Sequence, residues 1–149
     1  MGNILINGVT LTPLNIIEVN SGDVMHAMKK DDKGFDGFGE AYFSNIKYKA
    51  IKAWKKHTNM TMNIIVPIGE VRFVLLDDRN DALNKNFYEV LLSRKNYYRL
   101  TVPPMVWFGF QGIFKGESML LNLANRTHKF SEAQRKGVEE LNFDWSIRK

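Results

Sequence analysis

Turn formers break this chain into short pieces along its whole length. Asn7-Gly8, Ser21-Gly22, Lys33-Gly34, Asp36-Gly37, Gly69, Asp81, Lys95-Asn96, Gly112, Gly116 and Gly137 punctuate it, and such residues mark turns rather than element interiors. The runs between them are rich in β-branched and aromatic residues: Ala41–Ile46, Tyr48–Trp54, Met60–Val66, Val71–Leu76, Phe87–Leu92, Tyr97–Val102, Val106–Phe110 and Ser118–Leu123. Many short strands at even spacing predict an all-β sandwich or barrel.

Alternation within the runs supports strands. In Met60–Val66, residues Met60, Met62, Ile64 and Val66 share one side of the pleat, and Thr61, Asn63 and Ile65 share the other. In Val71–Leu76, Val71, Phe73 and Leu75 share a side; opposite them only Arg72 is polar, beside Val74 and Leu76. Such mixed faces fit a barrel with a small polar lumen. Pro67-Ile68-Gly69 reads as a hairpin turn. Pro103-Pro104 cannot donate ladder hydrogen bonds and marks a strand edge or corner. One short helix is expected, Ser131–Leu141, with Ser131 as cap, Gln134 at the capping-box position and Gly137 weakening its interior.

With 149 residues and no repeat or linker, the sequence reads as one domain spanning 1–149. The absence of Cys excludes disulfides, a thiolate nucleophile and the commonest structural zinc sites. No stretch approaches the roughly 20 apolar residues that cross a bilayer. Residues Met1 to Pro13 lack the basic and apolar regions of a signal peptide. A cytoplasmic protein with no membrane partner is therefore expected. Net charge is +5. The basic residues are scattered, with only Lys52, Lys55 and Lys56 grouped beside an aromatic, so phosphate on a small ligand, rather than nucleic acid, is the expected partner.

Five stretches in order resemble the dTDP-4-dehydrorhamnose 3,5-epimerase branch of the cupins. Lys33-Gly-Phe-Asp-Gly-Phe-Gly-Glu40-Ala-Tyr-Phe-Ser44 is similar to that family's opening Arg-Gly-Phe region with its following Glu and aromatic. Ile51-Lys-Ala-Trp-Lys-Lys-His57 looks like its Arg-Gly-Trp-His-x-His strand. Gly69-Glu-Val-Arg-Phe-Val-Leu-Leu-Asp77-Asp-Arg79 resembles Gly-x-Val-x-x-Val-x-x-Asp-x-Arg. Leu100-Thr-Val-Pro-Pro-Met-Val-Trp-Phe-Gly-Phe110 resembles Ile-Pro-Pro-Gly-x-x-His-Gly-Phe, and Leu141–Trp145 resembles the terminal Leu-x-Ile-x-Trp. The resemblance spans about 22–145. It implies a double-stranded β-helix (jelly roll), paired as a homodimer through its sheets, acting on a nucleotide-linked 4-keto-6-deoxy sugar.

In such enzymes a His base takes a proton beside the C4 ketone, a Tyr on the other face returns one, and a Lys stabilises the enolate. The resemblance places the base His on Lys55 and the motif's Arg on Lys52. It places the enolate Lys near Met62 or Asn63, the His before Gly-Phe on Phe108, and the acid Tyr near Leu121 or Asn122. The motif's second His is His57. The catalytic candidates are thus Lys55, a base if burial lowers its pKa, and His57. On a regular strand Lys55, His57 and Ala53 share one face and Lys52 lies on the other.

Each candidate also has a plain structural reading. Lys55 is a lumen base, a phosphate ligand or a surface lysine; His57 an acid–base group or a structural histidine. Asn63 and Asn122 are lumen hydrogen-bonders or strand-face polar groups. Trp54, Trp107, Phe108 and Phe110 are stacking walls or core. Arg79 contacts a ligand phosphate or pairs with Asp77 or Asp78. Lys33 and Glu40 reach a nucleotide or sit in a solvated loop, Lys52 supplies charge to substrate, and His128 joins the rim or the surface. A metal cupin needs two or three histidines and a glutamate on paired strands. With only His26, His57 and His128 in the chain, no metal and no other cofactor is expected. Two functions stay open: an epimerase or isomerase with a rebuilt site, and a non-catalytic sugar-nucleotide or carbohydrate-binding cupin.

Overall fold

A computed structural model describes residues 6–79 and 86–147; the turn signal at Asp81 lies outside the described residues. Twelve strands follow one another: β1 (Thr10–Pro13), β2 (Ile16–Ile17), β3 (Val24–Met25), β4 (Glu40–Ile46), β5 (Ile51–His57), β6 (Met62–Ile68), β7 (Glu70–Asp77), β8 (Phe87–Ser93), β9 (Tyr98–Val102), β10 (Val106–Gly112), β11 (Ser118–Ala124) and β12 (Ala133–Arg135). They form two five-stranded antiparallel sheets in the orders β1-β9-β6-β11-β4 and β12-β5-β10-β7-β8, with a two-stranded β2-β3 ribbon beside them. This is the expected jelly roll, two sheets enclosing one core.

The alternation read from β6 and β7 sets the inward faces. Met60, Met62, Ile64 and Val66 meet Val71, Phe73 and Leu75 in the core, with Leu100, Val102, Phe108, Phe110 and Leu120. Each such side chain contributes about 1.5–3 kcal/mol on burial. The mixed face of β7 is not the lumen. Val74 and Leu76 join Trp54, Trp107 and Trp145 in a second apolar cluster on the outside of that sheet. There Arg72 donates to the Trp145 carbonyl at 2.7 Å and lies over the Phe143 and Trp145 rings. The C-terminal segment covers this face, so both sides of β7 are apolar.

The hairpin tightens to Gly69, with Pro67 and Ile68 in β6, and Gly112 lies inside β10 rather than in a turn. Gly69 has φ +84°, and a Cβ there would lie 2.2 Å from Ser118 Oγ, so only glycine closes this hairpin. Pro103 and Pro104 stand between β9 and β10, as a corner should. Two further expectations fail. The run expected at Tyr48–Trp54 becomes a strand only at Ile51 and continues to His57, because Lys49 takes φ +66° in the preceding turn. The expected helix over Ser131–Leu141 is absent: single 3-10 turns at Phe130–Glu132 and Val138–Glu140 flank β12. Pairing with β5 (Ala133 opposite His57, Arg135 opposite Lys55) satisfies this backbone by sheet bonds, overriding a weak helical propensity.

Candidate active site

The open end of the sandwich holds a cavity of about 660 Å³. Its lining includes Tyr42 and Ser44 of β4, Lys52, Lys55 and His57 of β5, Phe108 and Phe110 of β10, and Asn122 of β11. His128, Arg135 and Lys136 close the rim. Among the described residues, no carboxylate lines it.

Lys52 and Lys55 line this cavity together, a correction to the regular-strand expectation that put them on opposite faces. The β5–β10 register runs Lys55 opposite Phe108, Ala53 opposite Gly109 and Lys52 opposite Phe110. Trp54 has no partner in it, so the strand bulges by one residue. The bulge turns Trp54 outward, where its indole donates to the Val138 carbonyl at 3.2 Å, and brings both lysines inward. Gly109 permits this: a Cβ there would stand 2.5 Å from the Ala53 Cβ. Lys52 Nζ donates to the Asn45 carbonyl at 2.7 Å and to Ser44 Oγ at 3.1 Å, and lies over the Phe110 ring.

His57 is 4% exposed and stacks against Phe108. Its Nδ1 lies 2.5 Å from Glu132 Oε2. Glu132 Oε1 accepts the backbone N–H groups of Asn59 and Met60 at 2.9 and 2.8 Å. A carboxylate so held accepts a hydrogen bond from Nδ1–H, which leaves Nε2 with its lone pair available. Burial pushes Glu132 up, but the N–H groups of Asn59 and Met60 and the His57 ring outweigh it, and its pKa is lowered. Burial pulls His57 below the ordinary histidine value; Glu132 opposes this, and Lys55 and His128 add to it. The Lys55 pKa is lowered, first by burial and then by Arg135 and Lys52.

Glu132 was not among the sequence candidates. Its only signal was a carboxylate one residue after Ser131, in a segment read as helix, and pairing between β12 and β5 is what carries it to His57.

The other candidates divide. Asn122 lines the cavity, buried, and donates to Tyr42 Oη at 3.1 Å. Asn63 does not meet Lys55 and His57: it stands on the outer face of β6, donating to the Gly34 carbonyl and accepting from Thr101 Oγ1 at 2.6 Å. Arg79 lies outside the cavity, its guanidinium forked onto Asp77 at 2.9 and 3.0 Å. Trp107 sits in the outer cluster, donating to Asp78 at 2.9 Å under the Lys56 ammonium; even residues of β10 face inward, odd ones outward. Lys33 is exposed in a turn, where its carbonyl accepts from the buried Arg99. Glu40 opens β4 outside the cavity lining, with Oε1 buried and unpartnered among the described residues. Phe108 and Phe110 wall the cavity; Trp54 backs it from the outer cluster.

Two antiparallel sheets around a cavity that carries four cations, with a histidine–carboxylate pair beside it, define a cupin. A dTDP sugar isomerase from Desulfovibrio desulfuricans G20 superposes with a TM-score of 0.89 at 33% identity, over 96% of this chain and 95% of that one. The chain belongs to the dTDP-sugar isomerase and dTDP-4-dehydrorhamnose 3,5-epimerase family of cupins. Two more distant structures share the fold. One is a sugar 3,4-ketoisomerase from Thermoanaerobacterium thermosaccharolyticum in complex with TDP (TM-score 0.74, 19% identity, 89% of this chain and 90% of that one). The other is a 3,5-epimerase from Legionella pneumophila Philadelphia 1 in complex with dTDP-4-keto-L-rhamnose (TM-score 0.83, 17% identity, 98% and 82%). No protein-family model matches the chain, and no curated protein does. Among the described residues no helix is long and apolar enough to cross a membrane.

Proposed function

We propose that this protein is an isomerase or epimerase of a nucleotide-linked 4-keto-6-deoxy sugar, with His57 as the proton-transferring base. The observation that carries this reading is the His57–Glu132 pair beside a cavity whose lining includes Lys52, Lys55, Arg135 and Lys136. Lys52, Lys55, Arg135 and Lys136 supply positive charge at the mouth, which suits the diphosphate of a nucleotide sugar. His57 then takes a proton from carbon beside the ketone. Loss of that proton puts negative charge on the ketone oxygen, and the nearby cations stabilise it. The lowered pKa of Lys55 makes it the second candidate for proton transfer.

A homodimer belongs to the same reading. Phe43 of β4 is 65% exposed and Ile68 54%, and the outward Met119, Leu121 and Leu123 of β11 lie between their strands. A second copy of this sheet is a fitting cover for such a face.

The test is solvent exchange. The wild-type protein in deuterium oxide incorporates deuterium into a 4-keto-6-deoxy sugar nucleotide, and His57→Asn abolishes it. Absence of exchange across a panel of such sugars, with a thermal shift by the same compounds, would instead establish the non-catalytic binding cupin. The stacking of Phe108 on His57, at a position where the family carries a histidine, favours that second reading.

A further inference from the structure

We propose that Lys55 is a nucleophile that forms an imine with the ketone of the ligand; this rests on the keto-sugar reading above. Lys55 lines the cavity and is exposed to it. The other two lysines of β5 are engaged: Lys52 Nζ donates to the Asn45 carbonyl and Ser44 Oγ, and Lys56 pairs with Asp78 at 3.0 Å. Among the described residues Lys55 has no hydrogen bond and no ion pair. Its surroundings disfavour an ammonium. Across the ladder it stands opposite Phe108 on one side and Arg135 on the other. Lys52 shares the cavity, and no carboxylate among the described residues lines it. An apolar ring and two cations without a counter-ion favour the neutral amine, which is the form that attacks a ketone. The Lys55 pKa is lowered accordingly, by burial first and then by Arg135 and Lys52.

His57 stands two residues further along the same strand, and residues so spaced on one face have their side-chain roots about 6.5–7 Å apart. A ligand held on Lys55 therefore presents the carbon beside its former ketone to His57. The Lys55 amine adds to the carbonyl carbon, and the C=O π pair moves to oxygen. That oxygen takes one proton from the nitrogen and one from solvent and leaves as water, giving an iminium. His57 Nε2 takes the proton from the adjacent carbon; the C–H pair becomes a C=C bond and the C=N π pair returns to nitrogen as an enamine. Return of the proton to that carbon restores the iminium, and addition of water releases ketone and amine. The iminium carries a full positive charge where the electrons must go. A separate lysine to stabilise an enolate is then unnecessary, in keeping with Met62 and Asn63 at the positions where the resemblance calls for one.

The experiment treats the full chain with TDP-4-keto-6-deoxyglucose and sodium cyanoborohydride, which reduces an iminium far faster than a ketone, and maps the peptides by mass. Deuterium exchange into the same compound and thymidine diphosphate affinity are read alongside. Wild-type protein is expected to carry one adduct on Lys55, with the mass of the sugar nucleotide less one oxygen atom. Lys55→Arg keeps the charge but forms no imine. It should lose the adduct and about 10²-fold or more of the exchange, with thymidine diphosphate affinity held within a few-fold. Lys55→Ala should regain part of the exchange when ethylamine is added, and it carries the test if Lys55→Arg fails to fold. Exchange by wild-type protein with no adduct on Lys55, or full exchange by Lys55→Arg, overturns the imine and spares the isomerase reading. An adduct without exchange upholds the imine and overturns the isomerase. Neither adduct nor exchange overturns both.

Discussion

His57 Nδ1 lies 2.5 Å from a carboxylate oxygen of Glu132, and the other oxygen of that carboxylate is held by two backbone N–H groups. The pair fixes which nitrogen of His57 carries the proton. Glu132→Gln keeps an oxygen for Asn59 and Met60 but turns an amide N–H toward Nδ1, which forces the opposite tautomer and blocks Nε2. The exchange rate is expected to fall at least tenfold or so. The pH profile moves as well. A base works when neutral, and burial already lowers the His57 pKa, so wild-type activity persists below pH 6.5 and is lost as pH falls through the lowered value. Glu132 is the group that holds the His57 pKa up. Removing its charge moves the acid limb to still lower pH. An unmoved limb in the exchange profile counts against the pair.

Gly109 and Ala53 approach so closely that the bulge in β5 depends on glycine. A Cβ at position 109 would overlap the Ala53 Cβ, and overpacking of this kind destabilises by about 1–3 kcal/mol. Gly109→Ala should lower the unfolding free energy by that amount, read from the denaturant midpoint, and weaken ligand binding, because Lys52 and Lys55 move with the strand. Ala53→Gly in the same chain relieves the overlap and should restore most of the stability. A double variant no better than the single one would show that the close approach does not control the bulge.

That bulge also marks where the sequence stopped being legible. Most of the longer strands, the Gly69 hairpin and the proline corner rest on local residue chemistry, and they were readable. The inward set of β6 was readable too, since alternation identifies two faces. Which face meets a cavity is decided by the opposing sheet, so Asn63 looked equivalent to Asn122 although one is outside and one inside. An extra residue in β5 reverses the alternation from one lysine to the other, and no residue type announces it. Glu132 was hidden for a related reason. A three-residue strand formed by pairing with distant β5 has no periodicity of its own.

The cations at the cavity mouth should act together on a diphosphate. Lys55→Gln and Arg135→Gln each remove one charge from a set whose members depress the Lys55 pKa. Each is expected to weaken thymidine diphosphate binding by about 3- to 10-fold at low salt, and raised ionic strength should narrow the difference from wild type. The pair also has a signed consequence. With Arg135 gone, one cause of the Lys55 shift disappears and its pKa rises toward the ordinary lysine value. Lys55 labelling by an amine-directed reagent in Arg135→Gln should then require higher pH than in wild type. Calorimetry across a salt series and a labelling–pH curve read by mass spectrometry check the two halves.

The outward face of β4 and β11 gives the last prediction. Strand β4 is an edge strand, with exposed Phe43 beside half-buried Leu121, its register partner on β11. A bare edge next to apolar side chains is a surface that natural sheets cover or blunt, and nothing in β4 blunts it: its only charged residue is Glu40, at its start. Cover by a second copy of the same sheet is expected to make the protein a dimer in solution. Phe43→Lys places a charge at the centre of that face without touching the cavity, since Phe43 points away from Tyr42 and Ser44. The variant should sediment as a monomer, with the wild type a dimer at the same concentration. Its unfolding midpoint should lose the dependence on protein concentration that a folded dimer shows. A wild-type protein that sediments as a monomer across the micromolar range removes the dimer, and leaves the face to be explained by a different partner.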